Sequence, residues 1–136
     1  MAVAVDRVAR IPVFSSLSHA QLALLADKFE ERHVEAGEHL TFEGKGGYFF
    51  FVLESGSAEV VRGGDVVYVL HGGEVFGEMA ILDTLRRTAT ITATAPTTLL
   101  AMWGADYAVL TSEIPGLKDA VDRSVAARST PNAPAD

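Results

Sequence analysis

The chain opens and closes on apolar residues at helical spacing, and between those ends the apolar rhythm shortens to that of strands. Residues 4–10 and 18–29 predict two helices. In the second, Leu22, Leu25, Ala26 and Phe29 share one face, and Ser18 stands at the N-cap position, where its hydroxyl can accept from an early helical N–H. From Glu30 to Met102 short apolar or alternating runs are separated by glycine, as in HVEAGEHL, TFEGKGGYFFFVLESGSAEVVRGGDVVYVLHGGEVFGE and RTATITATAPTTLLAMW. Gly63-Gly64-Asp65, between AEVVR and VVYVL, is a hairpin signal, because glycine takes the positive φ of a two-residue turn without strain. Several strands at turn-marked intervals imply an all-β barrel or sandwich in the middle of the chain. Within it FGEMAILD, residues 76–83, reads as a short helix, since Glu, Met, Ala and Leu favour helix and only Ile81 is β-branched.

Beyond Trp103 the helical period returns. Tyr107, Val109 and Leu110 mark one helix; Ile114, Leu117, Val121 and Val125 mark another, with Pro115 expected in its first turn. The aromatic run Tyr48, Phe49, Phe50, Phe51 is expected to be mostly core, with one or two rings facing outward because strand residues alternate between faces. The last eight residues, STPNAPAD, are small, polar and proline-containing, so residues 129–136 are expected to form a disordered tail behind a single unit over 1–128.

Composition acts mainly by exclusion. With 136 residues, 49% of them apolar and 21% charged, the chain has the size and balance of one globular domain. The absence of cysteine removes disulfides, thiolate metal sites and a cysteine nucleophile, which fits a cytoplasmic setting. Asp6, Arg7 and Arg10 interrupt the apolar N-terminus, and no stretch approaches the roughly 20 apolar residues of a membrane span. A net charge of −7 argues against a general nucleic-acid surface. A small anion remains admissible if local donors gather around it, since the global field is screened within about 8 Å at physiological salt. His19, His33, His39 and His71 are scattered and never form H-x-H or H-E-x-x-H, so no metal site is expected and a cupin-like metal-dependent enzyme is the weakest reading. Ser15, Ser16 and Ser18 read as caps or loop residues, because no histidine and acid complete a triad around them.

The chemistry concentrates in GGEVFGEMAILDTLRRTATITA, residues 72–93, which reads as a turn, a short helix from Gly77, a loop, and a strand opening at Arg86-Arg87. A helix that begins with glycine offers unpaired backbone N–H groups and lets an anion approach them closely. Arg87, from the following strand, could reach over the loop and pair with phosphate oxygens in a fork that lysine lacks. Glu78 would repel a phosphate, so beside one its task would be to accept from a sugar hydroxyl, such as a ribose 2′-OH. Taken singly, Glu78 also reads as a first-turn acid favoured by the helix dipole, and Arg87 as a solvated strand-end charge. Their spacing, together with Gly77 and Ala80 and the upstream glycine pattern, favours the cradle.

The order F-G-E-x-A, a short loop, then R-T-A-T resembles the phosphate-binding cassette of the cyclic-nucleotide-binding domain family, which includes the catabolite activator protein and the regulatory subunits of cyclic-AMP-dependent kinase. Upstream, AGEHLTFEGKGGYFFFVLESGSAEV and FSSLSHAQLALLADKFE resemble the family's glycine-marked strands and leading helices, so the resemblance covers about residues 11–104. It departs at Tyr48, where relatives often carry an acid, and at Arg86, where they often carry proline.

The resemblance implies a fold that is mainly β with flanking helices: a double-stranded β-helix (jelly-roll) barrel with N-terminal helices, a short phosphate-binding helix and C-terminal lid helices. It implies a ligand site at Phe76, Gly77, Glu78, Met79, Ala80, Arg87, Thr88 and Ala89, with Gly77, Met79 and Ala80 presenting backbone donors, Glu78 holding the ribose and Arg87 the phosphate. Thr88 bears on the choice between cyclic AMP and cyclic GMP. Val69 and Leu82, with Ile114, Leu117 or Val121 from the last helix, would enclose the purine. The implied role is a regulatory sensor that performs no catalysis and signals by movement of its C-terminal helices to an effector on another chain, with a homodimer as a further partner state. About 30 residues follow Trp103, too few for a DNA-binding domain. The rival reading is a scaffold or dimerisation domain of the same fold that binds no nucleotide.

Overall fold

The computed structural model describes residues 3–41, 49–77 and 89–132. Among them the elements are α1 (Val5–Ala9), a 3-10 turn (Pro12–Phe14), α2 (His19–Lys28), β1 (Glu30–Val34), β2 (His39–Thr41), β3 (Phe49–Ser55), β4 (Ser57–Arg62), β5 (Asp65–His71), β6 (Glu74–Phe76), β7 (Thr90–Ala93), β8 (Thr97–Trp103), α3 (Gly104–Glu113) and α4 (Leu117–Asn132). The strands pair into two four-stranded antiparallel sheets, ordered β1-β8-β3-β6 and β2-β7-β4-β5. Apart from the β4–β5 hairpin, every connection carries the chain from one sheet to the other, as a jelly-roll requires.

The burial pattern explains the two kinds of strand in the sequence. The β1-β8-β3-β6 sheet is covered on both faces, so β3 and β8 read as continuous apolar runs, FFFVL and LLAM. Phe50, Val52, Val75, Leu100 and Met102 turn to the helices and pack with Phe14, Leu25, Phe29, Tyr107, Ile114, Leu117 and Val121. Phe51, Leu53, Phe76, Leu99 and Ala101 turn to the second sheet and meet Ala58, Val60, Leu70, Ala89 and Ile91. The second sheet is covered on one face only, and β4 and β7 alternate accordingly. In the aromatic run Phe50 and Phe51 are core, as expected, because each face of their strand has a layer against it; Phe49 is half-buried, and Tyr48 lies outside the described residues.

The helices follow their local signals. Ser18 caps α2 in a full capping box: its hydroxyl accepts from the Gln21 N–H at 3.2 Å, and its own N–H donates to Gln21 Oε1 at 2.9 Å. The hairpin turns on Gly63 and Gly64, both at positive φ, between the paired Arg62 and Asp65. Pro115, expected inside the last helix, instead occupies the second position of a turn in which the Leu117 N–H donates to Ile114 O at 3.2 Å and Gly116 takes φ +86°; α4 starts after it. Val109 faces solvent, unlike Tyr107 and Leu110 on the same helix. Helix α4 runs to Asn132, four residues past the boundary given to the tail. Residues 133–136 lie outside the described residues.

The N-terminal layer is tied to the first sheet by charge. The Arg7 guanidinium bonds both carboxylate oxygens of Glu54 on β3, at 2.9 and 2.5 Å, and reaches Glu31 on β1 at 2.7 Å; Glu31 also pairs with His33. Arg7 holds the Glu31 carboxyl below the ordinary carboxylate range, with His33 adding to the pull. A carboxyl with a depressed folded pKa stabilises the fold above its unfolded pKa and loses that contribution as the pH falls through the folded one. The attachment of α1 is therefore expected to be complete at neutral pH and weakened in acid below the ordinary carboxylate range. Amide exchange across Val5–Ala9 at neutral and at acid pH checks this, and unchanged protection in acid would refute it.

Gly56 is the corner at which β3 passes into β4, with φ +106°, and a Cβ there would meet Pro96 O at 2.7 Å and the Thr97 side chain. That side chain is buried, donating to Ala95 O at 2.9 Å and accepting from the Ser57 N–H at 3.3 Å, so the two corners cannot separate cheaply. Gly56→Ala should lower stability by about 3 kcal/mol in urea denaturation, whereas the same change at Gly37, with nothing within 4 Å, should cost less.

Candidate functional site

Strand β6 ends on the inner face of the first sheet and β7 begins on the inner face of the second, so residues 78–88 must cross from one sheet to the other. The two anchors of that crossing are well defined. Phe76 pairs with Phe51 and stacks on its ring, centroids 4.9 Å apart at 21°, with 1% of its surface exposed. Gly77 follows at φ +95°, a conformation that side chains resist. Ala89 is buried in the same inter-sheet cluster, one residue before β7. Alanines at 58, 89 and 101 keep the walls small around these rings.

Of the residues that the sequence places in the site, Phe76, Gly77 and Ala89 therefore converge on the space between the sheets. Glu78, Met79, Ala80, Arg87 and Thr88 lie outside the described residues, as do the short helix expected from Gly77, Leu82, and the departures Tyr48 and Arg86. Two expectations about the purine wall are corrected. Val69 pairs with Glu59 on the outer face and is 38% exposed, because the inward residues of β5 are Tyr68 and Leu70. Ile114, Leu117 and Val121 are committed to the helical layer on the far side of the first sheet, where the apolar face of the last helices finds Val75 and Phe14.

Sequence reasoning passed over one cluster on the inner face. Trp103 pairs with Phe49 across β8 and β3, the rings 4.5 Å apart, and the Arg32 guanidinium lies 4.3 Å above the Phe49 ring. Phe49 stands two residues before Phe51 on the same side, at the end of the sandwich from which residues 78–88 depart. The available signal was the alternation in β1, where Arg32 and Val34 share the inward face while Glu31 and His33 point outward.

The helical side carries a shallow groove of about 440 Å³ between the 3-10 turn and α4, lined by Val13, Ser15, Ser16, Arg123 and Ser124 among others, remote from the inter-sheet cluster. Among the described residues no three His, Asp or Glu side chains gather as a metal site, and no helix is long and apolar enough to cross a membrane.

A two-sheet jelly-roll that carries F-G-E at the end of β6 and R-T-A just before β7 has the architecture of a regulatory nucleotide-binding barrel. The family model described as cyclic nucleotide-binding domain matches residues 31–111, and the chain belongs to that family. It is 43% identical over 90 residues to the cAMP-dependent protein kinase regulatory subunit of Eremothecium gossypii, covering 65% of this chain and 20% of that protein. It matches the crystal structure of the catabolite activator protein of Thermus thermophilus with a TM-score of 0.75 at 30% identity, over 86% of this chain and 57% of the other. A structure of PKAR CBD2 with Sp-2Cl-cAMPS bound matches with a TM-score of 0.79 at 25% identity, over 89% of this chain and 81% of the other. The chain spans about a fifth of the length of the kinase regulatory subunits it matches.

The Phe51–Phe76 stack is expected to hold the start of the crossing in place. Phe76→Ala should cost about 3–5 kcal/mol of stability in urea denaturation, and a loss below about 1 kcal/mol would mean the ring is not packed as described.

Proposed function

We propose that this chain is a regulatory sensor domain that binds cyclic AMP between its two sheets and performs no chemistry on it. The observation that carries the reading is the position of the family's motif: F-G-E begins at the buried end of β6 and R-T-A ends just before β7, with Phe76 and Ala89 buried in one apolar inter-sheet cluster. The similarity to a cAMP-dependent kinase regulatory subunit at 43% identity supports cyclic AMP as the ligand. Cyclic GMP is the alternative that a hydroxyl at Thr88 keeps open.

Binding would proceed by substitution of water. Backbone N–H groups of Gly77, Met79 and Ala80, with the guanidinium of Arg87, would surround the cyclic phosphate; Glu78 would accept from the ribose 2′-OH, and Ala89 would line the wall beneath. The purine would lie against the apolar inner face.

Signalling requires the ligand to favour one arrangement of the C-terminal helices by its differential affinity for the two. A route exists in the packing. Helix α4 contacts β5, β6 and the 3-10 turn, and Pro12 of that turn lies against Gly73, where a Cβ would stand 3.3 Å from it. Gly77 thus follows directly on the strand on which α4 rests. The output would be read by an effector on another polypeptide or elsewhere in a longer one, in the cytoplasm.

Calorimetric titration of the folded chain with cyclic AMP and cyclic GMP tests the proposal, and no heat at millimolar concentrations of either would leave the scaffold reading. Arg87→Ala should weaken binding by about 2–3 kcal/mol, because a charge-assisted pair is lost to a ligand already stripped of water. Unchanged affinity in that variant would remove Arg87 from the site.

A further inference from the structure

We infer that the outward face of the second sheet is an interface between two copies of this chain, laid sheet on sheet about a two-fold axis parallel to the strands. The inference is independent of the function proposed above. Strand register fixes which residues share that face. Val66, Val61 and Thr90 form one row across β5, β4 and β7; Val69, Glu59, Thr92 and His39 form the next, which reaches β2; His71, Ser57 and Thr94 form a third. An antiparallel sheet with one face in water ordinarily alternates apolar residues inward and polar or charged ones outward. Here the outward positions are mostly valine and threonine, shapes that suit a covered pleated surface, and Val66 and Val69 are 52% and 38% exposed. The chain has 18 acidic residues and a net charge of −7, yet these rows hold one acid among the described residues, Glu59, beside two histidines. Their hydroxyls are already held in place: Ser57 and Thr94 bond each other at 2.6 Å, and Thr92 bonds His39 Nδ1 at 2.8 Å. Side chains ordered in advance lose less freedom when a partner covers them.

Charge complementarity selects a second copy as that partner. A two-fold axis parallel to the strands reverses the order β2-β7-β4-β5, so β4 lies over β7 of the second copy and β5 over its β2, in the aligned packing of β-sandwiches. Each row then meets itself reversed. Glu59 comes over Thr92 and beside His39 of the second copy, a carboxylate against a hydroxyl and an imidazole that can donate to it. Val61 comes over the Thr90 methyl, and Ser57 over Thr94. A two-fold across the strands would instead set Glu59 against Glu59, and like charges opposed in this way repel. Because the contact is isologous, the Glu59 pairing is made twice.

Sedimentation velocity of the wild-type chain over a concentration series should show a monomer–dimer equilibrium with half-association at about 10–100 µM, the weak association expected of one small sheet face. Glu59→Lys and His39→Glu should each weaken association at least about tenfold, the first by replacing the acceptor with a cation and the second by opposing two carboxylates. The double variant, with both changes, restores an opposite-charge pair across the two-fold and should associate within about threefold of the wild type. That rescue separates a lost pairing from a lost fold. A wild-type chain that stays monomeric to about 1 mM overturns the inference. So does a dimer that the single variants leave intact, or one that the double variant fails to restore. Calorimetric titration with cyclic AMP is read separately: absence of binding overturns the proposed function and leaves this interface standing.

Discussion

Strands β3 and β8 run antiparallel at the centre of the first sheet, and every other element takes its place from the fact that this pair is buried on both faces. On one side Phe50 stacks on Tyr107, centroids 4.2 Å apart at 10°, and leans on Phe29, which in turn meets Phe14. Those contacts draw α2, α3 and the 3-10 turn onto the sheet. On the other side Phe51 stacks on Phe76, and the second sheet closes over both. Burying a large side chain completely is worth about 1.5–3 kcal/mol, and an aromatic pair adds about 0.5–1.5 kcal/mol. A run of consecutive phenylalanines serving alternate faces is therefore the densest source of stabilisation in the molecule.

The candidate site inherits its geometry from that constraint. Because β6 and β7 belong to different sheets, the segment between them joins the two sheets instead of turning back on its own. Its anchors, Phe76 and Ala89, are fixed in one cluster, while the surface beneath β6 rests on the 3-10 turn and α4. The strand from which the crossing segment departs thus carries the last helix on its other side. The ionic grip of Arg7 on Glu54 and Glu31 lies on the helical side of the sheet, and Arg32 stands on the inward face against the Phe49 ring.

Much of this was legible in the residues because the signals are local. Ser18 with Gln21 makes a capping box wherever a helix starts, and two adjacent glycines between alternating strands make a tight hairpin whatever surrounds them. The F-G-E and R-T-A cassette was legible in the same way, as spacing along one stretch of chain that marks a family. Pro115 was misplaced because proline signals both a helix start and a turn, and the choice depended on Gly116 taking positive φ beside it.

By itself, then, the sequence determined which of the described segments are helices and strands, where the chain turns, and which short stretch carries the family's motif, since each depends on neighbours a few positions away. Only the tertiary structure decided which face of a strand meets which layer. Val69 and Tyr68 are adjacent and similarly apolar, yet a residue left unpaired at Val67 in the β4–β5 register helps set which of them looks inward. Ile114, Leu117 and Val121 are apolar whichever layer receives them, and it is packing with Phe14, Leu25 and Val75 that places them on the helical side of the first sheet. Arg32 reads as an ordinary surface charge until Phe49, seventeen positions away, is brought beneath it. Sides and partners of this kind are set by long-range pairing, which no local pattern encodes.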